Sequence, residues 1–188
     1  MRPDHLDFAA MRLFVALDPP EDIKQRLLLA QGGVSGARWQ SADQLHLTLR
    51  FLGELDRHQA ADAAAALAGV HHPRFSLSLA GAGVFGKPTR PEALWIGVTP
   101  EAAVKALHNK VDQALARVGI APETRQFKPH ITIARLNGRT GPLGGFMTDQ
   151  GGISGPPFPV DDFCLYESTL SRDGAVYTIL ERYPLGSA

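Results

Sequence analysis

The apolar positions of the chain fall into short runs with two different periods. Residues 13–17 (Leu-Phe-Val-Ala-Leu) are continuously apolar, the pattern of a strand buried on both faces, and Pro19-Pro20 stops it. Over residues 21–30 the apolar side chains Ile23, Leu27 and Leu28 recur at helical spacing until Gly32, Gly33 and Gly36 interrupt. Residues 45–52 alternate in the manner of a strand, and the alanine-rich stretch 60–68 is a strong helix former. Residues 75–79 have period two and residues 94–98 form another β-type run. The two read as neighbouring strands joined through a Gly/Pro-rich loop at 86–91. Residues 101–118 place Val104, Leu107, Val111, Leu115 and Val118 on one helical face, with Gly119 as the stop. Beyond it, 131–136 reads as a strand, 138–159 as a long Gly- and Pro-rich loop, and 163–170 with 176–180 as a hairpin across Asp173-Gly174. Strands and helices do not alternate strictly, so the pattern predicts an α+β fold rather than a doubly wound sheet. Residues 1–10 precede the first run and read as an N-terminal extension.

Charge narrows the choice of partners. Nineteen Lys and Arg balance nineteen Asp and Glu in 188 residues, so the chain lacks the basic excess by which proteins coat a long polyanion. A local pocket for one phosphate remains compatible with neutrality. The single cysteine, Cys164, excludes a disulfide framework or a Cys-based zinc cluster, and between Phe163 and Leu165 it reads as a buried small hydrophobe. No apolar run approaches the roughly 18 residues that span a membrane, and Arg12 interrupts the first apolar stretch. A cytoplasmic, reducing setting with no membrane contact is expected.

The chemistry emerges from an internal repeat. His46-Leu47-Thr48-Leu49 and His130-Ile131-Thr132-Ile133 share the pattern His-apolar-Thr-apolar, and a leucine and a glycine follow each. At this composition one such match arises by chance roughly 0.06 times per chain, so two together are informative. On a strand, His and Thr project to one face and the apolar pair to the other. If the two copies pack about a pseudo-two-fold axis, they form two lobes, each an antiparallel sheet with flanking helices, and both His-Thr pairs face the central cleft. Two imidazoles can then act as acid and base near neutral pH while two hydroxyls donate to phosphate oxygens, which suits in-line displacement at phosphorus.

Longer strings extend the pattern: residues 12–17, 46–54 (HLTLRFLGE), 128–135 (KPHITIAR) and 166–170 (YESTL). In these the chain resembles the two-histidine (2H) phosphoesterase superfamily, in its RNA 2',3'-cyclic phosphodiesterase branch, also called the LigT-type 2'-5' RNA ligases. The resemblance runs from about Met11 to Leu185, which makes 11–188 one 2H phosphoesterase domain of two lobes. It implies metal-independent hydrolysis of a 2',3'-cyclic phosphate at an RNA 3' end to a 2'-phosphomonoester, without cofactor or obligate protein partner, by a monomer. It further implies reversible 2'-5' ligation by the same pair. His46 is the implied proton donor, His130 the proton acceptor, and Thr48 and Thr132 the phosphate-binding pair. Arg135 is a further phosphate candidate, although strict alternation puts it on the Ile131/Ile133 face. Phe85 is a candidate for stacking a base, whereas Phe51 and Trp95 read as core.

Two other readings stand beside this one: a 2H phosphoesterase for a small cyclic nucleotide or ADP-ribose cyclic phosphate, and a non-catalytic module that grips terminal phosphates. His71-His72 and Asp161-Asp162 read as solvated loop and turn residues rather than metal ligands. His58 and His108 fall in helical stretches and carry no implied role.

Overall fold

The computed structural model describes residues 10–172 and 174–186. The extension expected over 1–10 lies outside the described residues except for Ala10, as does Asp173 of the expected hairpin turn.

Two antiparallel sheets carry the site. The first is built from β1 (Met11–Leu17), β3 (Leu47–Leu55), β8 (Asp162–Ser171) and β9 (Gly174–Pro184), in the order β3-β1-β8-β9. The second comprises β2 (Arg38–Trp39), β4 (Phe75–Lys87), β5 (Arg90–Thr99), β6 (His130–Arg135) and β7 (Phe158–Val160), ordered β2-β6-β5-β4-β7. The fold is α+β, as the pattern predicts. The lobes, however, are not consecutive halves of the chain. The first sheet closes with the C-terminal hairpin β8–β9, and the second takes β2 from the N-terminal region.

Helix α1 (Glu21–Leu29) follows Pro20, and Ile23 and Leu27 are its buried residues. In α2 (Arg57–Ala68) the Asp56 carboxylate accepts from the Gln59 amide at 2.8 Å while the Gln59 side-chain oxygen accepts from the Asp56 amide at 3.0 Å. This reciprocal cap starts the helix three residues before the alanine run. Helix α3 (Glu101–Arg117) buries Val104, Leu107, Val111 and Leu115, but Val118 lies just past its last turn and is 40% exposed. Helices α2 and α3 pack against each other and against β3. One apolar core runs through both lobes, and a smaller aromatic cluster of Phe14, Ala16, Cys164 and Tyr166 sits beside it.

Two segments depart from the sequence reading. Strands β4 and β5 run on to Lys87 and Arg90, so the expected loop at 86–91 shrinks to a tight turn at Pro88-Thr89. The stretch 138–159 is also more ordered than its composition implies. It contains α4 (Gly144–Gln150), whose buried Phe146 lies against Trp39 with ring centroids 5.9 Å apart, and β7, which pairs with the start of β4. Neither element has a periodic signal of its own: α4 is held by Phe146 against Trp39, and β7 by pairing with β4.

Two smaller expectations fail as well. His72 is buried, its Nδ1 bonded to the Pro73 carbonyl at 2.8 Å and its ring edge-on to Phe75, instead of lying in a solvated loop. Asp162 is an ion-pair partner of Arg182 at 3.2 Å rather than a free turn residue.

Candidate active site

Both His-Thr pairs open into one cavity of about 530 Å³ between the sheets, with His46 and Thr48 on one side and His130 and Thr132 on the other. His46 is the last residue before β3, and His130 is the first residue of β6. Each imidazole is fixed in the same way. The Nδ1–H of His46 donates to the Gln44 carbonyl at 2.8 Å, and that of His130 donates to the Lys128 carbonyl at 2.6 Å. A carbonyl can only accept, so Nδ1 carries the proton and Nε2 of the neutral ring is the free base. Both carbonyls are held from their own side. Gln44 ends a 3₁₀ turn (Ala42–Gln44) capped by Ser41, and its side chain donates to the Ala175 carbonyl of β9 at 2.9 Å. Lys128 precedes Pro129, which restricts it to extended backbone.

The strands themselves share a second feature that changes which residues reach the cleft. In the β1–β3 ladder Ala16 faces Thr48 and Val15 faces Arg50, which leaves Leu49 as an extra residue. In the β5–β6 ladder Trp95 faces Thr132 and Leu94 faces Ala134, which leaves Ile133 as the extra residue. A one-residue bulge reverses the alternation beyond it. Arg135 therefore returns to the His130/Thr132 face and lines the cavity, where strict alternation placed it on the opposite face. Phe51, read from the sequence as core, is 51% exposed and lines the cavity too. Arg50 turns instead toward α3, where its Nε meets Asp112 at 2.6 Å.

The surroundings of the two imidazoles differ. His46 lies among Phe14 (ring centroids 4.8 Å apart), Tyr177 (5.1 Å, edge-on) and Tyr166 (6.0 Å). Burial among these rings pushes its pKa down to about 4; the Gln44 carbonyl opposes that shift, and the positive charges of Arg135 and His130 add to it. His130 stands edge-on to Phe85 at 4.6 Å, with Trp95 at 6.1 Å, and the Lys128 ammonium sits 4.4 Å over the Trp95 ring. Its pKa is also lowered, first by burial and then by Arg135 and Lys128, against the Lys128 carbonyl. Trp95 thus stands behind the His130 ring, although it does not line the cavity. Gly83 makes room for it, since a Cβ there would fall 2.1 Å from the indole ring.

The arrangement offers two Nε2 atoms for proton transfer, two hydroxyls and the Arg135 guanidinium for anionic oxygens, and aromatic faces for a base. Phe85 lies within this set as the support of the His130 ring. Sequence reasoning missed Phe14, Tyr166 and Tyr177. Phe14 comes from β1 and the two tyrosines from the C-terminal hairpin β8–β9, at opposite ends of the chain, and no local spacing marks them.

A second cavity of about 390 Å³ lies where Leu47 and Ile131, the apolar partners of the motifs, meet Asp18 and Arg182. Its charges satisfy one another: Asp18 bonds Lys24 at 2.6 Å and Arg182 at 2.7 Å. Cys164 is buried beside it, and burial pushes the thiol up to about 12, so it is inert as a nucleophile. Among the described residues, no helix is long and apolar enough to cross a membrane.

A family model described as LigT like Phosphoesterase matches the chain twice, over residues 17–95 and 96–177. A relative from Escherichia coli named RNA 2',3'-cyclic phosphodiesterase is 33% identical over 181 residues, covering 93% of this chain and 96% of its own. A relative of the same name from Archaeoglobus fulgidus is 32% identical over 170 residues, covering 89% and 96%. Among solved structures, one from Thermus thermophilus superposes with a TM-score of 0.82 at 28% identity, over 94% of this chain and 99% of that one. The structure of Escherichia coli LigT complexed with 3'-AMP superposes with a TM-score of 0.75 at 28% identity, over 95% and 99%.

Proposed function

Since the chain belongs to the LigT-like phosphoesterase family, we infer that it is a hydrolase that opens RNA 2',3'-cyclic phosphate termini to 2'-phosphomonoesters with its two histidines as acid and base. The observation that carries this reading is the matched pair of imidazoles, each with Nδ1–H tied to a carbonyl and each backed by a threonine in the same cleft. Simple phosphate binding would not need two ionisable rings in one fixed tautomer.

The proton balance assigns the parts. His130 Nε2 takes a proton from the attacking water as its oxygen bonds to phosphorus. The P–O3' bond breaks, and protonated His46 gives its Nε2 proton to the departing 3' oxygen. Thr48 and Thr132 hold the non-bridging oxygens as neutral donors, and Arg135 adds the charge that stabilises them as the phosphorus becomes five-coordinate. With a pKa of about 4, His46 is neutral in the free site near pH 7. The bound phosphate anion then supplies the negative charge that favours its protonated form, so substrate binding and arming of the acid are coupled. An RNA 5'-hydroxyl in place of water would give 2'-5' ligation by the same two proton transfers, His130 taking the hydroxyl proton and His46 protonating the departing 3' oxygen.

Phe51, exposed at the mouth beside Thr48, and Phe85 are the surfaces for nucleobases. The reaction needs neither metal nor partner chain, and the inert, reduced Cys164 fits a cytoplasmic setting.

The test is incubation of purified protein, with chelator present, against a short RNA ending in a 2',3'-cyclic phosphate and against ADP-ribose cyclic phosphate. Opening of the RNA end to a 2'-phosphate is the expected result. Opening of the ADP-ribose ring alone would move the substrate to the small-molecule class. Binding without opening of either ring would leave a terminal-phosphate binding module, and dependence on added metal would overturn the proton-transfer scheme.

A further inference from the structure

We propose that Arg50 and His108, which touch neither imidazole, are positioning residues that lock the strand of the first motif to the segment presenting His130. The proposal rests on the two-histidine reading above, and its observations are independent of any ligand.

The bulges create the need for such a lock. Each leaves one carbonyl that must find a donor outside its own ladder. The Ile133 carbonyl accepts from the Gln40 main-chain amide at 2.9 Å. The Leu49 carbonyl accepts at 2.8 Å from Nδ1–H of His108, a buried side chain of α3. At one bulge the backbone does the work, and at the other a single imidazole does.

That imidazole also reaches the second motif. Its ring lies flat on Phe127, with centroids 4.0 Å apart and planes 6° from parallel. Phe127 is followed directly by Lys128, whose carbonyl receives Nδ1–H of His130. Arg50 makes a parallel connection. Its Nε bonds Asp112 at 2.6 Å, Nη1 donates to the Phe51 carbonyl at 2.5 Å, and Nη2 donates to the Ala121 carbonyl. His108 and Asp112 are one helical turn apart on α3, so both connections converge on one helix face. The path from His46 to His130 therefore runs along β3 to the Leu49 bulge, through buried polar contacts, and along residues 121–128. At 6% exposure the guanidinium is fully engaged, and removal of any partner leaves a buried group unpaired.

The test uses the full chain and four variants. His108→Phe keeps a ring on Phe127 but loses the donor; His108→Asn restores an N–H near the Nδ1 position; Arg50→Lys keeps charge without the fork; Phe127→Leu removes only the stacked ring. His108→Phe should lower kcat on cyclic-phosphate RNA about tenfold with little change in KM, a size typical of lost support for a catalytic group. The acid limb of its kcat–pH profile, in which bound phosphate holds His46 protonated, should move to lower pH. A displaced Lys128 carbonyl no longer favours His130 protonation, while Arg135 and Lys128 still oppose it. His108→Asn should recover most of kcat, Arg50→Lys should fall between, and Phe127→Leu should show a smaller loss with the same direction of limb shift. Nitrogen chemical shifts of the His130 ring, read in each variant, should show loss of the single Nδ1–H tautomer in His108→Phe even if turnover is absent. Absence of ring opening by the wild-type protein would defeat the functional reading and leave this spectroscopic test standing. Wild-type kcat, pH profile and tautomer in His108→Phe would overturn the proposal, as would a loss in kcat with an unmoved pH profile and no recovery by Asn.

Discussion

The two motif strands have nearly the same backbone and different side-chain surroundings. Each begins with an imidazole tied to the carbonyl two residues before it, and each bulges one residue after its threonine. Past the bulge the first strand presents Phe51 and the second presents Arg135. The first imidazole sits in an aromatic nest of Phe14, Tyr166 and Tyr177, the second between two rings with Lys128 and Arg135 nearby. Repetition supplies matched tautomers and geometry, and divergence outside the repeat supplies direction. A site with two identical halves would hold a cyclic phosphate equally well in two orientations. On the proposed function, Arg135 takes the phosphate end of the substrate and the exposed Phe51 its base.

The strongest challenge to this comparison is removal of the imidazoles themselves. His46→Ala and His130→Ala should each lower kcat by a factor of roughly a hundred to ten thousand in single-turnover assays, and a nearly active His130→Ala would displace it as base. The next largest effect should separate the walls. Arg135→Ala should lower kcat/KM about a hundredfold through lost transition-state charge stabilisation. Phe51→Ala should raise KM about tenfold with kcat kept, as expected for a lost stacking surface. If both variants changed the same parameter by the same amount, the walls would not have distinct roles.

The pH profile sharpens the picture further. Both imidazolium pKa values lie below the ordinary 6.5, with His46 near 4, so the singly protonated pair is depleted as pH rises through this range. kcat/KM, which reports the free enzyme, should be bell-shaped with its maximum below pH 6.5; a maximum above pH 7 would contradict the burial argument. The smallest effect should be that of salt. With balanced charge and a site for one RNA end, the log–log slope of KM against salt should be no steeper than about 2, and a slope spanning many phosphates would show that internal RNA is bound.

Much of this molecule is legible from local pattern. The strands around Leu13–Leu17 and the helical face of Val104, Leu107, Val111 and Leu115 announce themselves by period, and the two His-apolar-Thr-apolar strings mark the chemistry. What was misread traces to a few causes. Phe51 reads as core, and Arg135 reads as a phosphate candidate against strict alternation, because two bulges that no residue type signals reverse the faces. Helix α4 and strand β7 read as loop because one is held by Phe146 on Trp39 and the other by pairing with the start of β4, both long-range. His108 carries no local signal because its partner is a carbonyl on another element.

The sequence by itself determined the reaction class, since side chains with the right acid–base and hydrogen-bonding capacity recur at a spacing that puts them on one face of a strand. Tertiary structure decided the rest: which nitrogen of each imidazole is free, which wall carries the charge and which the rings, and how the two strands are held in register. Those depend on where single carbonyls point and which strands from opposite ends of the chain become neighbours. Such facts come from long-range pairing and packing, and a local pattern does not encode them.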